Sequence, residues 1–125
     1  MGAFDRLANE QTVVVTTYKK DGSPVATPVN AVVLGEHAYF RTWSTSGKAK
    51  RLRRDPRLQI APSTMRGRPT GPAIEANARL VGIDEEETVK RALSKKHRII
   101  HGWLVPLAHR VRHYDTIYYE LSVAA

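Results

Sequence analysis

The sequence predicts one mainly β domain (α+β in class): a small antiparallel barrel of about six strands with short helices between them. Three observations carry that prediction. Apolar, β-branched runs recur along the chain, tight-turn signals such as Asp21-Gly22 and Gly35-Glu36 separate them, and helical spacing appears only as short interruptions. Hairpin-length connections favour antiparallel pairing and disfavour a doubly wound α/β fold, which needs a crossover between parallel strands. With 125 residues, 42% hydrophobic and 26% charged, residues 1–125 have the size and composition of a single globular domain, without repeat or linker.

In chain order, residues 2–9 predict a short helix, with Phe4, Leu7 and Ala8 at helical spacing. QTVVVTTYK (11–19) has the composition of a buried strand. Asp21-Gly22 turns the chain, and PVATPVNAVVLG (24–35) returns as a second strand. Pro28 marks an edge or a bulge there, because it has no N–H for a ladder, and a kink would leave backbone groups open to a ligand. His37 to Trp43 form a third strand, with Ala38, Phe40 and Thr42 on one face and Tyr39, Arg41 and Trp43 on the other.

The period then changes. Ser44, Thr45 and Ser46 offer helix N-caps, Ala49 and Leu52 suit a helix, and Asp55-Pro56 ends it, since the residue before proline avoids α geometry. RLQIAPS (57–63) is a fourth strand and MRGRPTGP (65–72) a loop. AIEANARLVGI (73–83) alternates, with Glu75, Asn77 and Arg79 opposite Ile74, Ala76, Ala78 and Leu80. Asp84 is the expected cap of an amphipathic helix with Glu85, Glu86 and Glu87 in its first turn and Lys95 and Lys96 at its end. Residues 97–113 suggest another short helix interrupted around Gly102 and Pro106, and TIYYELSV (116–123) closes the chain as a strand.

Composition excludes some chemistry. There is no cysteine, hence no disulfide, thiolate nucleophile or thiolate metal site. No stretch approaches the roughly 20 apolar residues that a bilayer needs, and the expectation is a soluble, cytoplasmic protein without a membrane partner. The formal charge of +8 is concentrated: residues 41–57 hold seven Lys or Arg and one acid, Asp55. Such a field attracts anions of any kind.

That basic run has three readings. It could be a solvated helix face, a nucleic-acid patch or a pocket for one anionic group. The chain has no RRM, KH, helix-turn-helix or zinc-finger pattern, which weakens the second. At about 100° per residue, Lys48 and Arg51 share a side with Leu52, which should point into the core. Lys48 also lies in the first helical turn, where the macrodipole disfavours a cation unless an anion sits there. Backbone N–H groups, the hydroxyls of Thr45 and Ser46, and Lys48 would together make a phosphate site, with Arg41 as a further arm.

Two motifs carry a family likeness: D-G-x-P-x-x-x-P-V (Asp21 to Val29) and S-x-K-A-x-R-L-R-R-D-P-R (Ser46 to Arg57). The chain resembles the pyridoxamine 5′-phosphate oxidase-like split β-barrel superfamily, and within it the F420-dependent (flavin/deazaflavin) oxidoreductases. The resemblance implies an FMN/F420-binding split barrel and a homodimer with its cofactor at the subunit interface. It implies that Arg41 and Thr42 line the cofactor, that Ser46, Gly47 and Lys48 hold its phosphate, and that Arg51 assists. Lys50 stands at a position that is often basic, and Thr27, Pro28, Val29 and Asn30 would face the ring system. The expected activity is hydride transfer from reduced F420 to a conjugated small molecule, with FMN, or binding without turnover, as the alternatives. F420 is more anionic than FMN, which suits a +8 chain with Arg66 and Arg68 in a loop. The hydride chemistry would belong to the cofactor, so no catalytic triad is expected, and the proton would come from solvent or from an unassigned side chain.

Four of the five histidines crowd into residues 97–113, with His97 and His101, and again His109 and His113, at i, i+4. Such pairs can hold a metal on one helix face, yet no third ligand but Asp115 is near in sequence; the resemblance adds haem as an alternative, since some split-barrel relatives handle it. A solvated or dimer-facing cluster is the simpler reading, and no metal is expected. Trp103 reads as core or interface.

Overall fold

The structure, a computed structural model, describes residues 2–97 and 116–124. Seven strands form one sheet: β1 (Val13–Tyr18), β2 (Pro24–Val29), β3 (Ala31–Leu34), β4 (His37–Trp43), β5 (Arg57–Pro62), β6 (Ile74–Leu80) and β7 (Thr116–Val123). Their spatial order is β2-β1-β5-β6-β7-β4-β3, every neighbour antiparallel. Helix α1 (Gly47–Arg54) joins β4 to β5, and α2 (Ile83–Lys96) follows β6.

The strand order forces the sheet to curl. Flat, it would hold its two edge strands about 29 Å apart, at the usual spacing between strands. Yet β2 and β3 are separated only by Asn30, so Val29 and Ala31 lie within about 7.6 Å of each other. Counting antiparallel neighbours, β2 and β3 run in the same direction. Residues 24–34 are thus one long run whose first half pairs with β1 (Val15 opposite Thr27) and whose second half pairs with β4 (Ala31 opposite Phe40). No ladder joins β2 to β3, and the barrel is split there.

This division corrects the single second strand expected over 24–35 and raises the strand count among the described residues to seven. Both halves keep strand composition, so a change of pairing partner leaves no mark in the local pattern. Asn30 marks the break by donating its side-chain Nδ2 to Gln11 O at 2.9 Å. Pro24 and Pro28, four residues apart, put both missing N–H groups on the same edge of β2, the one facing away from β1.

Two apolar clusters cover the two faces of the sheet. Inside the curl, Val13, Val15, Phe40, Ile60 and Leu121 form the main core, with Leu52 of α1 and Phe4 and Leu7 inserted into it. The rings of Phe40 and Tyr119 stack there at 5.5 Å. Outside, Val32, Tyr39 and Tyr118 pack against Val81 and against Val89 and Leu93 of α2. Residues 38–40 of β4 are buried on both faces for that reason. The Tyr39 hydroxyl donates to Glu120 Oε2 at 2.9 Å, while Arg79 Nε bonds Oε1 of the same carboxylate at 3.1 Å. Burial first, then the Glu120 bond, pushes the Tyr39 pKa up to about 12.

Other differences are local. The first helix is only a 3₁₀ turn, Asp5–Leu7, whose role is to bury Phe4 and Leu7. Strand β6 stops at Leu80, which is exposed rather than packed, because Val81 turns inward and its N–H bonds Tyr118 O at 2.8 Å. The cap of α2 is Gly82, not Asp84, since the Gly82 carbonyl already accepts from Glu86 N at 3.1 Å. Asp84, Glu85 and Glu86 fill the first turn instead. At the other end, Lys96 Nζ and His97 Nε2 both bond Ala31 O, at 2.7 and 2.9 Å. His101, His109, His113, Trp103 and the helix expected near them lie outside the described residues. Among the described residues no group of three metal-ligating side chains exists, and no helix is long and apolar enough to cross a membrane.

Candidate functional site

Helix α1 begins and ends where local chemistry dictates. Ser46 is its N-cap: Oγ accepts from Ala49 N at 3.1 Å and from the Thr42 hydroxyl at 2.9 Å. With two bonds accepted, the Ser46 proton remains free to be donated. The cap satisfies one of the first-turn N–H groups, and among the described residues Gly47 and Lys48 N have no acceptor. Asp55 ends the helix and clamps Arg57 through two contacts at 3.1 and 3.0 Å.

The basic run divides three ways. Lys50, Arg53, Arg54 and Arg57 are exposed, and three of them are tied down locally. Arg53 bonds Ser44 O at 3.3 Å, Arg54 bonds Tyr18 O at 2.7 Å, and the Arg57 guanidinium lies 5.9 Å from the Tyr18 ring centre. This face of α1 is the solvated one.

Lys48 and Arg51 instead share the opposite side with Leu52, which is buried. Arg51 Nε donates to Thr17 Oγ1 at 2.6 Å, and its Nη1 comes so close to Gly47 that a Cβ there would stand 2.8 Å away. A side chain at position 47 would push the end of Arg51 aside. Lys48 is half-buried and, among the described residues, has no carboxylate partner. Burial first, then the neighbouring Arg51 charge, holds its pKa below the usual lysine range.

Arg41 goes elsewhere. It stands opposite Tyr118 on the outer face of β4, and burial lowers its pKa. Thr42, on the inner face, joins Ser46, so the two residues predicted to act together are on opposite sides of the sheet. Thr42, Ser46, Gly47, Lys48 and Arg51 do assemble around the start of α1, and Lys50 does not.

The four residues from 27 to 30 also divide. Pro28 is exposed and Gly67, at φ +91°, packs against its ring, while Val29 faces the core. Thr27 points to the same side as Val15, and its Oγ1 is buried without a hydrogen-bond partner among the described residues. A buried hydroxyl without a partner costs about 1–3 kcal/mol unless something fills it. Thr27 is the diagonal neighbour of Thr17 on that face. Thr17 was not legible as a site residue, because it acts through a contact distant in sequence.

A cleft of about 330 Å³ opens between Gly2, Glu36, His37 and Val123, and none of the predicted residues lines it.

The sequence profile described as pyridoxamine 5′-phosphate oxidase matches residues 3–121. The chain belongs to the pyridoxamine 5′-phosphate oxidase family. That assignment fits the curled seven-stranded sheet with its two helices. Solved structures of the same split-barrel fold include a protein of unknown function from Agrobacterium tumefaciens, with TM-score 0.71 and 17% identity over 95% of this chain. The chain spans only 51% of that protein. An FAD-binding protein from Mesorhizobium loti superposes with TM-score 0.67 at 13% identity, covering 95% of this chain and 83% of its own. The haem storage protein HutZ from Vibrio cholerae does so with TM-score 0.68 at 17% identity, covering 93% and 83%. No curated protein sequence matches the chain.

Proposed function

We propose that this pyridoxamine 5′-phosphate oxidase family member is an oxidoreductase that grips a phosphorylated flavin-type coenzyme at the start of α1. F420 is favoured over FMN, with a conjugated small molecule as hydride acceptor. One observation carries the reading: Lys48 is half-buried beside Arg51 at the first turn of α1, with no carboxylate to balance the two charges. Two cations with open backbone N–H groups form a donor set suited to phosphate. The unpartnered Thr27 hydroxyl adds a buried polar atom for a ligand to meet.

When bound, such a coenzyme supplies the hydride chemistry. The chain's part is binding and orientation. Lys48 and Arg51 neutralise the phosphate, Gly47 and Lys48 N donate to it, and the Ser46 proton is available as a further donor. Thr42 holds Ser46 in place. The net charge of +8 favours the more anionic F420 through the long-range field. A homodimer with the coenzyme between subunits belongs to the same proposal.

Titrating the purified protein with F420, FMN and haem tests the reading. Tightest binding of F420, followed by oxidation of reduced F420 on adding quinones or enones, is the expected result. Tight FMN binding with none of F420 would overturn the coenzyme choice. Binding without turnover would identify a coenzyme-binding protein rather than an enzyme. Sedimentation with and without ligand checks the dimer.

A further inference from the structure

We propose that Thr17 is a positioning residue, whose hydroxyl fixes the Arg51 guanidinium beside the first residue of α1 and so completes the anion site with Lys48. The inference rests on reading that site as a phosphate clamp. Along the inner face of β1 the side chains are Val13, Val15 and Thr17. The first two belong to the main core, and Thr17 is as fully buried as they are. A third valine would fill the same volume. The hydroxyl in its place meets Arg51 Nε at 2.6 Å.

That bond consumes the one guanidinium N–H nearest the chain and leaves both Nη groups to point elsewhere. Nη1 thereby lies against Gly47, where a larger residue would displace it. A free arginine on a helix surface samples many rotamers and loses that freedom when it binds. Arg51 is ordered beforehand, so an arriving anion meets a set cation rather than a mobile one. Helix α1 does not depend on Thr17 for its seat, because Leu52 enters the core and Arg54 bonds Tyr18 O at 2.7 Å. The Thr17 hydroxyl therefore acts on the aim of Arg51, not on the docking of the helix.

Thr17→Val and Thr17→Ser, each in the full-length chain, test this with two readouts. In nuclear magnetic resonance the Arg51 Nε–H should be protected from solvent exchange in the wild type and Thr17→Ser, and exposed in Thr17→Val. In titrations Thr17→Val should weaken FMN and F420 by about tenfold, the loss of one charge-assisted contact, with riboflavin unchanged and Thr17→Ser close to wild type. An equal loss for riboflavin, or unchanged FMN affinity despite lost protection, would overturn the inference. Should the wild type bind neither FMN nor F420, the coenzyme reading fails by itself, and pyrophosphate titration then decides. Shifts at Arg51 Nε–H and Gly47 N–H in the wild type but not in Thr17→Val would support positioning, and their absence would refute it.

Discussion

Replacing Lys48 by methionine should move affinity and stability in opposite directions. The stem is kept and the ammonium removed. A charge-assisted contact contributes about 1.5–3 kcal/mol, so F420 or FMN affinity should fall by about 10–100-fold. In the free protein the effect reverses. Burial and Arg51 hold the Lys48 pKa below its ordinary 10.5, so the folded state disfavours the protonated form. That penalty is in force at neutral pH and is relieved as pH rises toward 10.5. Lys48→Met should therefore melt higher than the wild type at pH 7, with the gap narrowing on the alkaline side. Isothermal titration gives the affinity and calorimetric melts at several pH values give the stability. Lys20→Ala, at an exposed turn, is the control. An equal loss of affinity in the control would reduce Lys48 to one charge in a diffuse field, and a lower melting temperature for Lys48→Met would contradict the unpaired, half-buried cation.

Phe40→Ala removes a fully buried ring stacked on Tyr119 and should cost about 3–5 kcal/mol in denaturant unfolding; a loss under about 1 kcal/mol would mean the core is not centred there. Ser46→Ala removes the α1 cap and should cost about 1 kcal/mol, whereas Ser46→Asp should keep the cap but repel a phosphate, weakening FMN while leaving the unfolding midpoint near wild type. His97 is buried with its pKa held below 6.5, so the unfolded chain takes up the proton first and stability should fall as pH drops below 6.5. His97→Gln should flatten that part of the acid profile, measured as melting temperature between pH 7 and 4.5.

What could be read without coordinates was what neighbouring residues decide among themselves. The bounds of α1 follow from Ser46 and Asp55-Pro56, and the hairpin turns follow from Asp21-Gly22 and Gly35, whose glycines both have positive φ. Hidden features needed a partner far along the chain. Residues 24–34 change partner from β1 to β4 without changing composition. Tyr39 is buried because α2, more than forty residues later, covers that face. Helical angle foresaw that Lys48 and Arg51 would turn toward the body of the protein. It could not foresee Thr17, 34 residues away, as the acceptor for Arg51. Strand alternation had already set Arg41 and Thr42 apart, and only the geometry of Tyr118 and Ser46 shows where each goes.

The shared run from Pro24 to Leu34 couples errors at the two borders of the sheet. If β2 slips by one residue against β1, the single-residue tether obliges β3 to slip on β4, and every side chain from Val25 to Val33 turns over to the wrong face. Both alignments are then chosen in one event. Lengthening the chain at Asn30 is the change that would let each border find its register alone.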